Sequence, residues 1–149
     1  MTVSIAQESP LTAEAHVLLD GSEAALRAVY AEDECFIFSA KDLDKPEITF
    51  LVARQDGIAL GCVALVDYGP YGEVKRMFVA PAARGKGVAQ ALMEHLETVA
   101  ARKHTSIKLE TGDKLVAAVK MYKALGFSIC GPFGDYVEHP ASLFLEKTL

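Results

Sequence analysis

The chain has 149 residues, a formal net charge of −5 and 51% apolar residues, enough for one domain with its own core and too many for a disordered chain. The acidic balance argues against a general nucleic-acid binder or an anionic-membrane binder, both of which need basic patches, and permits cationic acceptors such as amines. No apolar run approaches the roughly 18 residues of a membrane span, and residues 1–7 lack the basic and apolar regions of a signal peptide.

In chain order, residues 3–6 read as a short strand. A helical stretch opens at Pro10-Leu11-Thr12 and ends near Asp20-Gly21, and Ser22 then reads as the N-cap of a second helix over 23–31. Three β-branched and apolar runs follow, at 48–53, 59–67 and 73–79. Turns at Gln55-Asp56-Gly57 and at 68–72 separate them, which predicts an antiparallel meander. After Pro81 the period changes. Val88, Leu92, Leu96 and Val99 recur at helical spacing, in an amphipathic helix that stops around Lys103-His104. Residues 106–110 form a short strand. Leu115, Val119, Tyr122 and Leu125 line one face of a further helix, with Gly126 as its left-handed cap and Phe127 packed behind it. Residues 127–130 and 142–145 supply the last strands. The order predicts one α/β domain over residues 1–149 with a mixed sheet.

Cys35, Cys62 and Cys130 are odd in number and far apart, with no C-x-x-C. Neither a disulfide framework nor a zinc ribbon is expected, and a reducing cytoplasm fits best. His16, His95, His104 and His139 show no paired spacing, so no metal site is expected.

The chemistry concentrates where the strand over 73–79 runs through a short loop into a helix. Gly85 and Gly87 leave the backbone bare at the point where the helix begins. Its unpaired N–H groups and the positive end of its dipole form an anion site, to which Arg84 and Lys86 add charge. A pyrophosphate suits such a place. A P-loop is excluded, because Val88-Ala89 follows Gly87 in place of Lys-Ser/Thr. A dinucleotide fingerprint is excluded too, because Gln90 stands where the third glycine belongs. Strict alternation puts Glu73, Lys75, Met77 and Val79 on one face of the strand and Val74, Arg76 and Phe78 on the other. Both faces are mixed, which fits a strand distorted partway along and leaves Arg76 without an account.

The segment Arg84-x-x-Gly87-x-Ala89 resembles the Gln/Arg-x-x-Gly-x-Gly/Ala signature of the GNAT superfamily of N-acetyltransferases. As in that family, it follows a strand carrying a glutamate and precedes a long amphipathic helix. A later helix carries Tyr122 and ends in Gly126-Phe127. The resemblance implies a mixed, mostly antiparallel sheet of six to seven strands with flanking helices. It also implies direct transfer of acetyl from acetyl-CoA to a primary amine of a small molecule, such as an amino acid or polyamine, with no metal and no covalent enzyme intermediate.

By the same resemblance, Met77, Phe78 and Val79 contact the pantetheine, and Arg84, Gly85, Lys86, Gly87, Val88 and Ala89 hold the pyrophosphate. Tyr122 touches the cofactor and acts as general acid. Glu73 is the first expectation for the base and Glu110 the second, directly or through water. Many members carry an Asn where this chain has Leu115. Homodimers are frequent among such proteins. Acceptor recognition is expected from the variable parts: Tyr30 and Phe36 in the helix pair around 30–38, and Phe133 and Tyr136 in the loop over 131–136. Glu32, Asp33 and Glu34 form a small acidic run near the first of these. Two rival readings share the fold: a non-catalytic CoA-binding or sensor module, and a protein or peptide N-acetyltransferase.

Overall fold

The computed structural model describes residues 2–31 and 39–149, so the acidic run, Cys35 and Phe36 lie outside the described residues. The strands are β1 (Ser4–Gln7), β2 (Ile48–Gln55), β3 (Ile58–Asp67), β4 (Tyr71–Val79), β5 (Ser106–Gly112), β6 (Ser128–Cys130) and β7 (Ser142–Thr148). The helices are α1 (Ala13–Arg27), α2 (Ala40–Leu43), α3 (Val88–Ala100) and α4 (Val116–Ala124), with a single 3-10 turn at Pro81–Ala83. The strands form one sheet in the order β1-β2-β3-β4-β5-β7-β6. Every neighbouring pair is antiparallel except β4 and β5.

The alternation of β2 and β3 divides two cores, because both faces of these central strands are covered. Leu51, Ala53, Val63 and Leu65 pack under α3 and α4 with Leu92, Leu96, Tyr122 and Phe127. Phe50, Val52, Cys62 and Ala64 pack on the other face against Leu18 and Leu19 of α1 and Leu43 of α2.

The two helices expected between residues 12 and 31 are one. α1 starts at Thr12, whose hydroxyl accepts from the Ala15 amide, and runs without a break through Gly21 and Ser22 to Arg27. Gly21 is a notch rather than a stop. A Cβ there would stand 3.0 Å from the Phe78 ring, so the missing side chain lets α1 approach β4. Burial of Ala15, Leu18, Leu19 and Ser22 along one stripe offsets the roughly 1 kcal/mol that a mid-helix glycine costs. The short α2, absent from the expected elements, is set by Ser39-x-x-Asp42, which forms a reciprocal capping box.

Beyond the Asp56-Gly57 turn, where both residues have positive φ, Arg54 ties the N-terminal elements together. Its guanidinium reaches Glu8 at 2.7 and 2.8 Å and Glu14 at 2.8 and 2.9 Å. Hydrogen bonding from Arg54 holds the Glu14 carboxyl below the ordinary carboxylate value. A group lowered in this way stabilises the fold above its ordinary pKa and loses that contribution as pH falls through the lowered one. Arg54→Met is therefore expected to lower the melting temperature at neutral pH, and the gap to the parent should close below the carboxylate range. Thermal melts across pH check this; a gap that stays constant on acidification contradicts it.

Candidate active site

β4 and β5 run parallel but pair over only three positions, Tyr71 with Ser106, Gly72 with Ile107 and Glu73 with Lys108. Beyond them the strands part. β4 continues to Val79 paired with β3 alone, and β5 continues to Gly112 paired with β7 alone. A cleft of about 780 Å³ fills the opening.

A bulge in β4 shapes one wall. Cys62 pairs with Phe78 and Ala64 with Lys75, so Arg76 and Met77 together oppose Val63. Arg76 takes up the extra residue at φ 57°, a left-handed conformation that is uncommon without glycine. The bulge rephases the strand. Val74, Met77 and Val79 all pack on the α3 side, whereas Phe78 packs on the α1 side. Arg76 is thus the point at which the strand distorts, as its two mixed faces imply, and Val74 and Phe78, which strict alternation would place together, end on opposite faces. The bulge also accounts for Arg76. Its guanidinium turns under α1 and donates to the Leu19 carbonyl at 2.8 Å, and burial lowers its pKa.

The start of α3 closes one end of the cleft. Gly85 and Gly87 have φ of 76° and 79°, conformations that glycine adopts at no steric cost. A Cβ on either would meet nothing within 4 Å, so space lies open over both. Gly87 is the N-cap and offers no side chain to the first turn. Its carbonyl receives the Ala91 amide, which leaves the amides of Val88, Ala89 and Gln90 without helical partners. Arg84 and Ala89 line the cleft on either side of this turn. Arg84 donates through Nε to the Val79 carbonyl at 3.1 Å and lies 5.6 Å from the Phe78 ring centre. The Val88 side chain is core, so only its backbone faces the turn.

At the other end stands a buried charged network. Glu73 is 3% exposed. Its carboxylate accepts from the Tyr136 hydroxyl at 2.6 Å and pairs with Lys75 Nζ at 3.1 Å. Lys75 also donates to the Tyr136 oxygen at 2.7 Å. Burial beside this carboxylate pushes the Tyr136 phenol well up, so it remains protonated. Glu110 lines the same cleft from β5. Burial raises its carboxyl, against the lowering effects of a Ser142 hydrogen bond and the Lys75 charge.

Tyr122 enters from α4. Gly126 at φ 100° ends that helix, and Phe127 returns its amide to the Tyr122 carbonyl. The Phe127 ring then packs edge-on to Tyr122, 5.6 Å between centres. Burial pushes the Tyr122 phenol well up, and the residue lines the cleft.

One cleft therefore brings together Tyr30, Glu73, Met77, Phe78, Val79, Arg84, Ala89, Glu110, Tyr122 and Tyr136. Gly85, Lys86, Gly87 and Val88 form the turn between two of its lining residues. Phe133, expected to contact the acceptor, does not line the cleft. It is 9% exposed and packs edge-on against Tyr71, Tyr136 and Phe144, where it seats the loop that carries Tyr136. An aromatic residue between glycines signals a loop anchor as readily as a ligand contact. The sequence assigns Lys75 no role, although its i, i+2 spacing from Glu73 places the two on one face. Among the described residues no group of three or more His, Cys, Asp or Glu side chains could hold a metal ion, and no helix is long and apolar enough to cross a membrane.

Comparison with known proteins adds to this geometry. The model of the Acetyltransferase (GNAT) family matches residues 15–127. An IAA acetyltransferase of Azospirillum brasilense is 41% identical over 150 residues, which cover 99% of this chain and 98% of the relative. A solved structure from Klebsiella pneumoniae, provisionally assigned as an acyl-CoA N-acyltransferase, superposes with a TM-score of 0.84 at 28% identity, over 99% of this chain and 98% of that one. The PaiA N-acetyltransferase of Thermoplasma acidophilum, solved with coenzyme A bound, shares the fold over the whole of both chains, with a TM-score of 0.79 at 19% identity.

Proposed function

The chain belongs to the GNAT acetyltransferase family, and from that premise we propose that it moves acetyl directly from acetyl-CoA to the primary amine of a small molecule, such as an amino acid or polyamine. We further propose that one domain over residues 1–149 carries the whole reaction. The observation that carries the reading is the coincidence of four features in one cleft: the parting of β4 from β5, the Arg76 bulge, the open glycine turn at α3, and the pair Tyr122 and Glu73.

The residues fit such a donor. Amides of Val88, Ala89 and Gln90, with Arg84 and Lys86, would hold a pyrophosphate at the positive end of the helix dipole. Backbone groups of Met77 and Val79, beside the bulge, would hold the pantetheine arm, with Phe78 bracing Arg84. Acetyl-CoA supplies an activated thioester whose acyl carbon a neutral amine can attack. Tyr122 then stands to deliver its phenolic proton to the departing sulfur. An alkyl amine is mostly protonated near neutral pH, so a base is needed. Glu73, held by Tyr136 and Lys75, accepts that proton through water. Glu110, which lines the same cleft and whose carboxyl burial raises, is the second acceptor. The ring of Tyr30 and the hydroxyl of Tyr136 border the space left for the acceptor.

A thiol-release assay with purified protein and acetyl-CoA tests this over amino acids, polyamines and short peptides. Release with a small amine is the expected result. Release with peptides alone reassigns the acceptor class. Tight acetyl-CoA binding with no release on any amine identifies a sensor module instead.

A further inference from the structure

We infer that Tyr30 is a positioning residue: its phenol clamps the junction between β5 and α4 and so fixes where α4 presents Tyr122. The inference rests on the reading of Tyr122 as the proton donor.

The junction needs a clamp. The N-cap of α4 is Leu115, whose side chain makes no capping hydrogen bond, so the segment ahead of the helix must be held by other contacts. Tyr30, 84 residues earlier, accepts the Lys114 amide on its hydroxyl and donates the hydroxyl proton to Asp113 Oδ1 at 2.9 Å. The Lys114 ammonium lies 5.4 Å from the same ring. Gly112 completes the seat, because a Cβ there would overlap the phenol. The junction backbone is held further by the Asp113 amide on the Ala141 carbonyl at 3.0 Å and the Leu115 amide on the Gly112 carbonyl at 3.1 Å. Tyr30 therefore ties the chain just past α1 to the junction of β5 and α4, which the Asp113 amide in turn links to Ala141 ahead of β7.

Tyr122 lies about two helical turns beyond this point. A regular helix transmits a shift of its first turn to that position, and misplacing a catalytic group by about 1 Å costs up to about 100-fold in rate. The chemistry of Tyr30 also argues against direct acceptor binding through its oxygen. Burial pushes the phenol up to about 12, so it stays a donor at neutral pH, and both its donor and an acceptor position are already used inside the protein. Only the ring is left for the cleft.

The test is a double-mutant cycle read on kcat at saturating acetyl-CoA. Tyr30→Phe keeps the ring and removes both hydroxyl bonds. Gly112→Ala displaces the ring from the opposite side. Each is expected to lower kcat about tenfold in the parent and to add little in a Tyr122→Phe background, and for Tyr30→Phe, which keeps the ring, the acceptor KM is expected to be nearly unchanged. Equal losses in both backgrounds overturn the inference, since they show that Tyr30 does not act through Tyr122. A raised acceptor KM at unchanged kcat also overturns it and makes Tyr30 a substrate contact. An unaltered kcat for Tyr30→Phe overturns it as well. If Tyr122→Phe alone leaves turnover unchanged, the proton-donor reading and this inference fall together. If Tyr122→Phe is slow and Tyr30→Phe is not, only this inference falls.

Discussion

Tyr122→Phe lowers turnover by about 10²-fold, the lower end of what a positioned acid contributes, while acetyl-CoA affinity changes little. The ring stays in place because its packing on Phe127 and the α3-side core does not involve the hydroxyl. Only the proton is lost. The acid strength of an ordinary phenol, near 10, is poorly matched to a thiol near 8.5, and burial pushes Tyr122 higher still. Desolvation acts in the same direction on a thiolate leaving into the same cleft, so both partners rise and the mismatch does not widen in proportion. The raised phenol also removes Tyr122 from the alkaline limb of the pH–rate profile: it remains protonated through that range. Steady-state kinetics with a good acceptor, together with calorimetric titration of acetyl-CoA, check both halves. Equal turnover in parent and variant would assign the proton to solvent.

Gly87→Asp raises the acetyl-CoA dissociation constant by about 10²-fold or more, equivalent to about 2.7 kcal/mol. Two effects act at one position. The carboxylate puts a negative charge at a helix start that would otherwise attract one, in space that is open over the glycine. The φ of 79° also strains any L side chain, at about 1 kcal/mol of stability. Gly87→Ala separates the two. It carries the strain without the charge and is expected to bind acetyl-CoA far better than the aspartate. Calorimetry on the three proteins, beside their melting curves, reads both terms. If Gly87→Asp binds as the parent does, the pyrophosphate lies elsewhere.

The sequence disclosed the scaffold well because most of its signals are local and periodic. The α3 stripe, the meander turns and the Gly126-Phe127 ending each lie within a few residues and were found where expected. It failed where a distant contact gives a residue its meaning. Gly21 reads as a break until Phe78 is seen beside it. The mixed faces of the strand over 73–79 signal a distortion, but not that Arg76 takes it up or that its side chain is claimed by the Leu19 carbonyl of α1. Phe133 and Tyr136 look alike in their loop, yet the fold turns one into the sheet and the other toward Glu73. Gly112 and Tyr30 carried no joint signal at all, being 82 positions apart. The candidate site was thus legible where one segment supplied several residues, between 73 and 89, and dim where it is assembled from single residues of separate elements.

A sheet ordinarily has two margins, and proteins guard them because unpaired peptide groups recruit foreign strands. Here the two outer margins are among the shortest strands of the sheet, β1 with four residues and β6 with three. The divergence after Glu73 creates two more in the middle, along Val74–Val79 and from Leu109 to Gly112. Unpaired strand margin is thus present at the centre of the sheet as well as at its rim. These inner margins border the cleft inside the molecule rather than its rim. Peptide groups that would tempt a foreign strand at the rim thus face an interior opening instead.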